Sequence, residues 1–132
     1  MFGLRHMAGV SALMAMAGLS SAAAPLTGQW GGDRALLTLE ATGGRIEYDC
    51  GSGTLDAALR PDANGRFSVS GKHEVHTPGP TMADAAPAFL AASYRGTVHG
   101  DRMSLVVQVA GEKSPRTLGL VRGQGVKLVR CL

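Results

Sequence analysis

Two cysteines, few aromatic rings and no long run of like charge set the first limits on this chain of 132 residues. Aromatic residues make up only 5% of it, too few to build a stacking platform for bases. The formal net charge of +3 is scattered along the chain and forms no basic stripe, so nucleic acid is not an expected partner. The strained Gly-x-Ser-x-Gly elbow of a serine hydrolase is missing, and neither cysteine has a second one nearby to make a metal-binding pair. These absences argue against an enzyme and imply no cofactor. The length leaves room for one hydrophobic core and no second domain.

What is present begins at the N-terminus. Arg5 precedes an apolar stretch, Met7 to Leu19, interrupted only by Ser11, and Ser20-Ser21-Ala22-Ala23-Ala24 follows. That is the three-part layout of a secretory signal, too short for a stable span, which needs about 20 residues. Cleavage after Ala23 places small Ser21 and Ala23 at the recognition positions, whereas cleavage after Ala24 would put Pro25 beside the scissile bond. Residues 1–23 are therefore expected to be removed and residues 24–132 to fold, in a secreted or periplasmic setting, without a transmembrane segment; an uncleaved anchor helix is the alternative. No cysteine follows the apolar run to carry a lipid anchor. In an oxidising compartment Cys50 and Cys131 have one intramolecular pairing, closing a loop of about 80 residues that is worth a few kcal/mol in the chain-entropy model. A reactive or metal-binding thiol is the competing reading.

Past residue 24, short apolar stretches alternate with polar residues at a period near two, each bounded by glycine, proline or asparagine. Leu37 and Leu39 alternate with Thr38 and Glu40, then Ile46, Tyr48 and Cys50 with Arg45, Glu47 and Asp49. Gly51-Ser52-Gly53 reads as a turn before a strand carrying Leu55, Ala57 and Leu59. Pro61 to Gly65 has turn chemistry, since proline presets φ and Asn-Gly tolerates positive φ. Strands follow around Phe67 to Val69, Tyr94 to Val98 and Met103 to Val109, and a final hairpin joins Thr117 to Val121 with Val126 to Cys131. About eight strands at 8 to 12 residue spacing, with no helical repeat between them, predict an all-β antiparallel meander, most simply an eight-stranded barrel. Thr77 to Pro87, with three prolines, is the one long loop.

Gly28-Gln29-Trp30 at the first strand, with Arg130 in the last predicted strand, resembles the lipocalin and avidin group of meander barrels. The resemblance implies a tryptophan that closes one barrel end and a basic residue packed across it. Tyr48-Asp49-Cys50 with a late cysteine is similar to small periplasmic inhibitors of lysozyme, although Ser70-Gly71-Lys72-His73-Glu74 lacks the tyrosine of their Ser-Gly-x-x-Tyr loop. The whole pattern also looks like small secreted bacterial proteins of unassigned function.

Three functional readings follow. The first is a binding module holding a small apolar or amphipathic ligand at the barrel mouth, with Trp30, Arg130 and Tyr48 as ligand or closing residues. It needs an interior that is not filled by residues such as Leu37, Ile46, Phe67 and Leu105. The second is a protein-binding envelope protein, such as a lysozyme-type enzyme inhibitor, acting through a turn at Ser70 and Gly71 or the loop carrying Pro78 and Pro80. The third is a small hydrolase. His73-Glu74-Val75-His76 holds the only cluster of metal-ligand residue types, but in a strand residues three apart point to opposite faces, so no metal site is expected. Oligomeric state is left open.

Overall fold

The computed structural model describes residue 3 and residues 23–75 and 88–129. Eight strands occur in chain order: β1 (Gly28–Gly32), β2 (Ala35–Glu40), β3 (Gly43–Tyr48), β4 (Gly51–Leu55), β5 (Arg66–Glu74), β6 (Phe89–His99), β7 (Arg102–Val109) and β8 (Arg116–Arg122). Each pairs antiparallel with the next, and β8 pairs back onto β1, so the sheet closes into an up-and-down barrel with no free edge. Among the described residues no helix is long and apolar enough to cross a membrane.

The alternation read from the sequence is the inside–outside alternation of this wall. Leu37, Leu39, Ile46, Leu55, Phe67, Tyr94, Met103, Leu105, Val107, Val109, Leu118 and Leu120 are buried in the barrel interior together with Trp30. No polar or charged side chain is fully buried with them among the described residues. Tyr94 fills the middle of the barrel. Its ring lies over the glycines of β4 and β5, and its hydroxyl donates to the Lys72 carbonyl at 2.9 Å. A Cβ at Gly53 would fall 2.2 Å from that hydroxyl, and one at Gly71 would fall 2.7 Å from the ring and 1.9 Å from the Thr54 carbonyl oxygen. Burial pushes the Tyr94 phenol up to about 12, so it remains a donor at any ordinary pH.

Two expected strands are corrected. The segment Gly51-Ser52-Gly53, expected as a turn, is most of β4, and Ala57 and Leu59 lie beyond its end. Pairing from both neighbours overrides the weak strand propensity of glycine, and Tyr94 needs the missing side chain. At the other end, residues 124–129 form no barrel strand. The edge of β8 that they would have joined is taken by β1, through Trp30 opposite Arg122 and Gly31 opposite Val121, with Gly123 N–H donating to Gln29 O at 2.7 Å. The turn expected at Ser70 and Gly71 is the interior of β5, with Gly71 buried. By contrast, the turn at Pro61 to Gly65 is present: Asp62 Oδ1 accepts from the backbone N–H of Asn64 at 2.8 Å and Arg66 at 2.9 Å, and Gly65 sits at φ 77°.

Residues 124–129 instead cross the outside of the barrel. Trp30 points inward, so Gly31 faces out, and the space a Cβ would need there is held by the Gln124 carbonyl oxygen and Val126. The segment then reaches the β3–β4 turn, where Val129 N–H donates to Asp49 Oδ1 at 2.6 Å. Asp49 also pairs with Arg34, which occupies a positive-φ position of the tight β1–β2 turn. The Val129 hydrogen bond, and then Arg34, hold the Asp49 carboxyl below the usual carboxylate range. A carboxyl depressed in the folded state stabilises it above the ordinary carboxylate pKa and loses that contribution as pH falls through the folded value. Asp49→Ala is therefore expected to speed amide exchange at Val129 at neutral pH while the barrel amides stay protected, and the unsubstituted chain to show the same change only below roughly pH 4. Equal exchange rates for Val129 in the two proteins would show that Asp49 does not hold the segment.

Candidate binding mouth

The two ends of the barrel are built differently. At the end where β1, β3, β5 and β7 begin, Leu26 and Leu59 join the core from outside the strands, linked by Leu26 N–H to Leu59 O at 2.8 Å. Trp30 is fully buried, its Nε1 donates to Thr27 O at 3.4 Å, and the Arg122 guanidinium stacks 4.5 Å from its ring centroid. Arg122 is also tied to Asp101 at 3.3 Å. The basic residue across the tryptophan thus comes from β8, the last strand of the barrel. Arg130, expected in that role, lies outside the described residues. This end is plugged, and among the described residues no buried side-chain polar atom there lacks a partner.

The opposite end is where β3, β5 and β7 finish and β4, β6 and β8 start. Strand parity turns Tyr48, His73, Leu90 and Arg116 toward the axis there, one layer above the apolar filling. The Tyr48 and His73 rings are tilted with centroids 6.1 Å apart, and the Arg116 guanidinium lies 5.6 Å from the Tyr48 centroid. Arg116 bonds Glu112 of the β7–β8 turn at 2.6 Å, leaving the rest of its N–H fork free of any described partner. Ser52 Oγ donates to Glu74 Oε2 at 2.8 Å on the adjoining rim.

Two atoms in this layer are anomalous. Tyr48 Oη and His73 Nδ1 are shielded from solvent yet have no hydrogen-bond partner among the described residues. Leaving such a group unsatisfied costs about 1 to 3 kcal/mol, so each calls for an explanation. Burial raises the Tyr48 phenol, with Tyr94 adding to the effect, which keeps it a neutral donor. Burial, then Arg116, lowers the His73 imidazole, which keeps it neutral at neutral pH. Beside these groups Val75, Phe89 and Leu90 are exposed, the last pointing into the mouth.

Comparison with protein-family models, curated proteins and solved structures finds no match for this chain. The functional reading therefore rests on the mouth itself.

Of the residues singled out in the sequence, Tyr48 is in the mouth layer, Trp30 is in the plug at the other end, and Ser70 and Gly71 are in the β5 wall. Pro78, Pro80, His76, Arg130 and Cys131 lie outside the described residues. Cys50 occupies the β3–β4 turn at φ 63°, and no free cysteine occurs among the described residues. No group of three or more His, Cys, Asp or Glu suited to a metal is present among them either. Sequence reasoning missed Arg116 and weighed His73 as part of a metal-type cluster. The signal was available in part, since His73 shares the parity of Phe67, Val69 and Gly71, but Arg116 stands at the start of a strand whose inward middle is Leu118 and Leu120.

A groove of about 450 Å³ also runs along the outer wall over β6–β8, where Thr97, His99, Arg102, Ser104 and Val121 surround the side-chain-free Gly119. Trp30 is not among its walls.

Proposed function

We propose that the chain is an exported, disulfide-closed β-barrel that acts as a binding module, taking a small amphipathic ligand at the mouth formed by Tyr48, His73, Leu90 and Arg116. The observation that carries this reading is the pair of buried polar atoms, Tyr48 Oη and His73 Nδ1, that have no partner among the described residues. The open interior expected for such a module is absent, since Leu37, Ile46, Phe67, Leu105 and Tyr94 fill it, so the proposal is confined to a ligand seated on the mouth. Export is supported by the Arg5 and Met7 to Leu19 signal pattern. The Cys50–Cys131 bridge is supported by the Val129–Asp49 hydrogen bond, which brings the chain two residues before Cys131 to the residue before Cys50. Kinship with lipocalins or avidins rests on Gly28-Gln29-Trp30 and a basic residue from the last barrel strand. The module is read as non-enzymatic because the sequence carries no Gly-x-Ser-x-Gly elbow.

A second reading, a protein-binding envelope protein, is favoured by the exposed Val75, Phe89 and Leu90, which flank the loop carrying Pro78 and Pro80. One measurement separates the two. The protein is purified from its native compartment and weighed under native conditions, then denatured with and without reductant. A retained small molecule supports the first reading and a protein-sized adduct the second. A denatured mass about 2 Da below the reduced one, starting at residue 24, is expected from the bridge and from cleavage after Ala23. A chain retaining residues 1–23 would overturn export by this signal.

A further inference from the structure

We infer that the head group taken at this mouth is a carboxylate, held by Arg116 and Tyr48 with His73 alongside, and that its apolar part is short and lies on Leu90 and Val75. The inference rests on the mouth being the ligand site and adds the chemistry of the ligand. Donors dominate the inward polar layer. The Tyr48 hydroxyl is unpartnered and Arg116 spends one N–H on Glu112, so these two groups call for an oxygen acceptor, to which the unpartnered His73 Nδ1 also donates in its Nδ1–H tautomer. Glu112 shows that a carboxylate fits against this guanidinium, and both members of that pair are partly exposed, at 40% and 32%, so an incoming carboxylate can share or replace it. The planar fork of Arg116 has a second pair of N–H groups for a bidentate contact.

An alkyl-ammonium head meets the opposite environment. It would have to compete with Arg116 for Glu112 and would leave the Tyr48 hydroxyl without an acceptor. An uncharged alcohol satisfies Tyr48 but leaves the guanidinium unused. The apolar part has a fixed limit, because the layer below the mouth is occupied: Val107 and Val109 are fully buried and Tyr94 closes the centre. Only the rim residues remain to cover it. Affinity should therefore rise with chain length until Leu90 and Val75 are covered, and then stop rising.

The test uses the oxidised protein lacking residues 1–23, titrated calorimetrically with octanoate, octanol and octylammonium, each below its micellar concentration, and with hexadecanoate for chain length. Octanoate is expected to bind at least tenfold more tightly than the other two eight-carbon probes. Arg116→Gln should cost octanoate at least tenfold and octanol less than twofold, and Tyr48→Phe should cost octanoate several-fold. Unchanged thermal unfolding checks that both variants fold, and loss of octanoate-induced shifts in the His73 imidazole resonances locates the effect at the mouth. Equal binding of octanol or octylammonium would overturn the carboxylate while leaving the mouth as the ligand site. Failure of all the probes to bind would overturn the small-ligand reading itself, with the unpartnered atoms then served by water. A steep further gain with hexadecanoate would overturn the short-ligand limit.

Discussion

Trp30→Ala is expected to remove about 3 to 5 kcal/mol of stability, the range for truncating a fully buried large aromatic. Trp30 is the largest of the completely buried side chains and sits where the barrel closes. The β1–β8 seam has two registered pairs, against nine between β5 and β6, so the side chains across it carry an unusual share of the closure. Removing the indole also leaves Arg122 without its stacking partner, a contact worth about 0.5 to 2 kcal/mol. For a domain of this size the melting temperature should fall by roughly 15 to 30 °C. Trp30→Phe keeps a ring under Arg122 and should lose less than half as much. Equal losses for the two variants would show that neither a stacked ring nor apolar volume is enough and that the indole itself holds the seam.

Gly71→Ala is expected to cost about 2 to 4 kcal/mol, and its sign is the informative part. In a strand with room for a methyl group, replacing glycine by alanine stabilises by about 0.4 to 1 kcal/mol through the unfolded chain. Gly71 has no such room, because the new Cβ would lie 1.9 Å from the Thr54 carbonyl oxygen as well as 2.7 Å from Tyr94. The first obstacle is main chain of the paired strand, so trimming the ring by adding Tyr94→Leu should not rescue the loss. Gly125→Ala, on the strap where nothing lies within 4 Å, provides the control and should stay within about 0.5 kcal/mol of the parent. Thermal unfolding of the three variants decides the matter. A stabilised Gly71→Ala would mean that β4 and β5 separate there in solution.

Both predictions come from contacts that no stretch of sequence announces. The closure of β1 on β8 joins residues about ninety positions apart, and the need for Gly71 arises from Tyr94 and Thr54, which belong to neighbouring strands. The same holds for the mouth. Tyr48, His73 and Arg116 come from three different strands, and only the register of the barrel brings them into one layer.

The sequence by itself determined the class and much of the wall. Strict alternation at Leu37–Leu39, Ile46–Tyr48, Phe67–Val69 and Met103–Val109 marks the inward positions, because side chains of a strand alternate faces whatever the strand pairs with. Turn chemistry at Asp62, Asn64 and Gly65 is equally local, since Asp62 bonds amides only two and four residues away. Tertiary structure alone decided which segments became strands at the two ambiguous places. Gly51-Ser52-Gly53 carries turn residues but is paired on both sides, and Val126 to Val129 alternates like a strand but has no edge left to join. Strand formation is completed by hydrogen bonds to a partner, and a closed barrel leaves no free edge for a further strand.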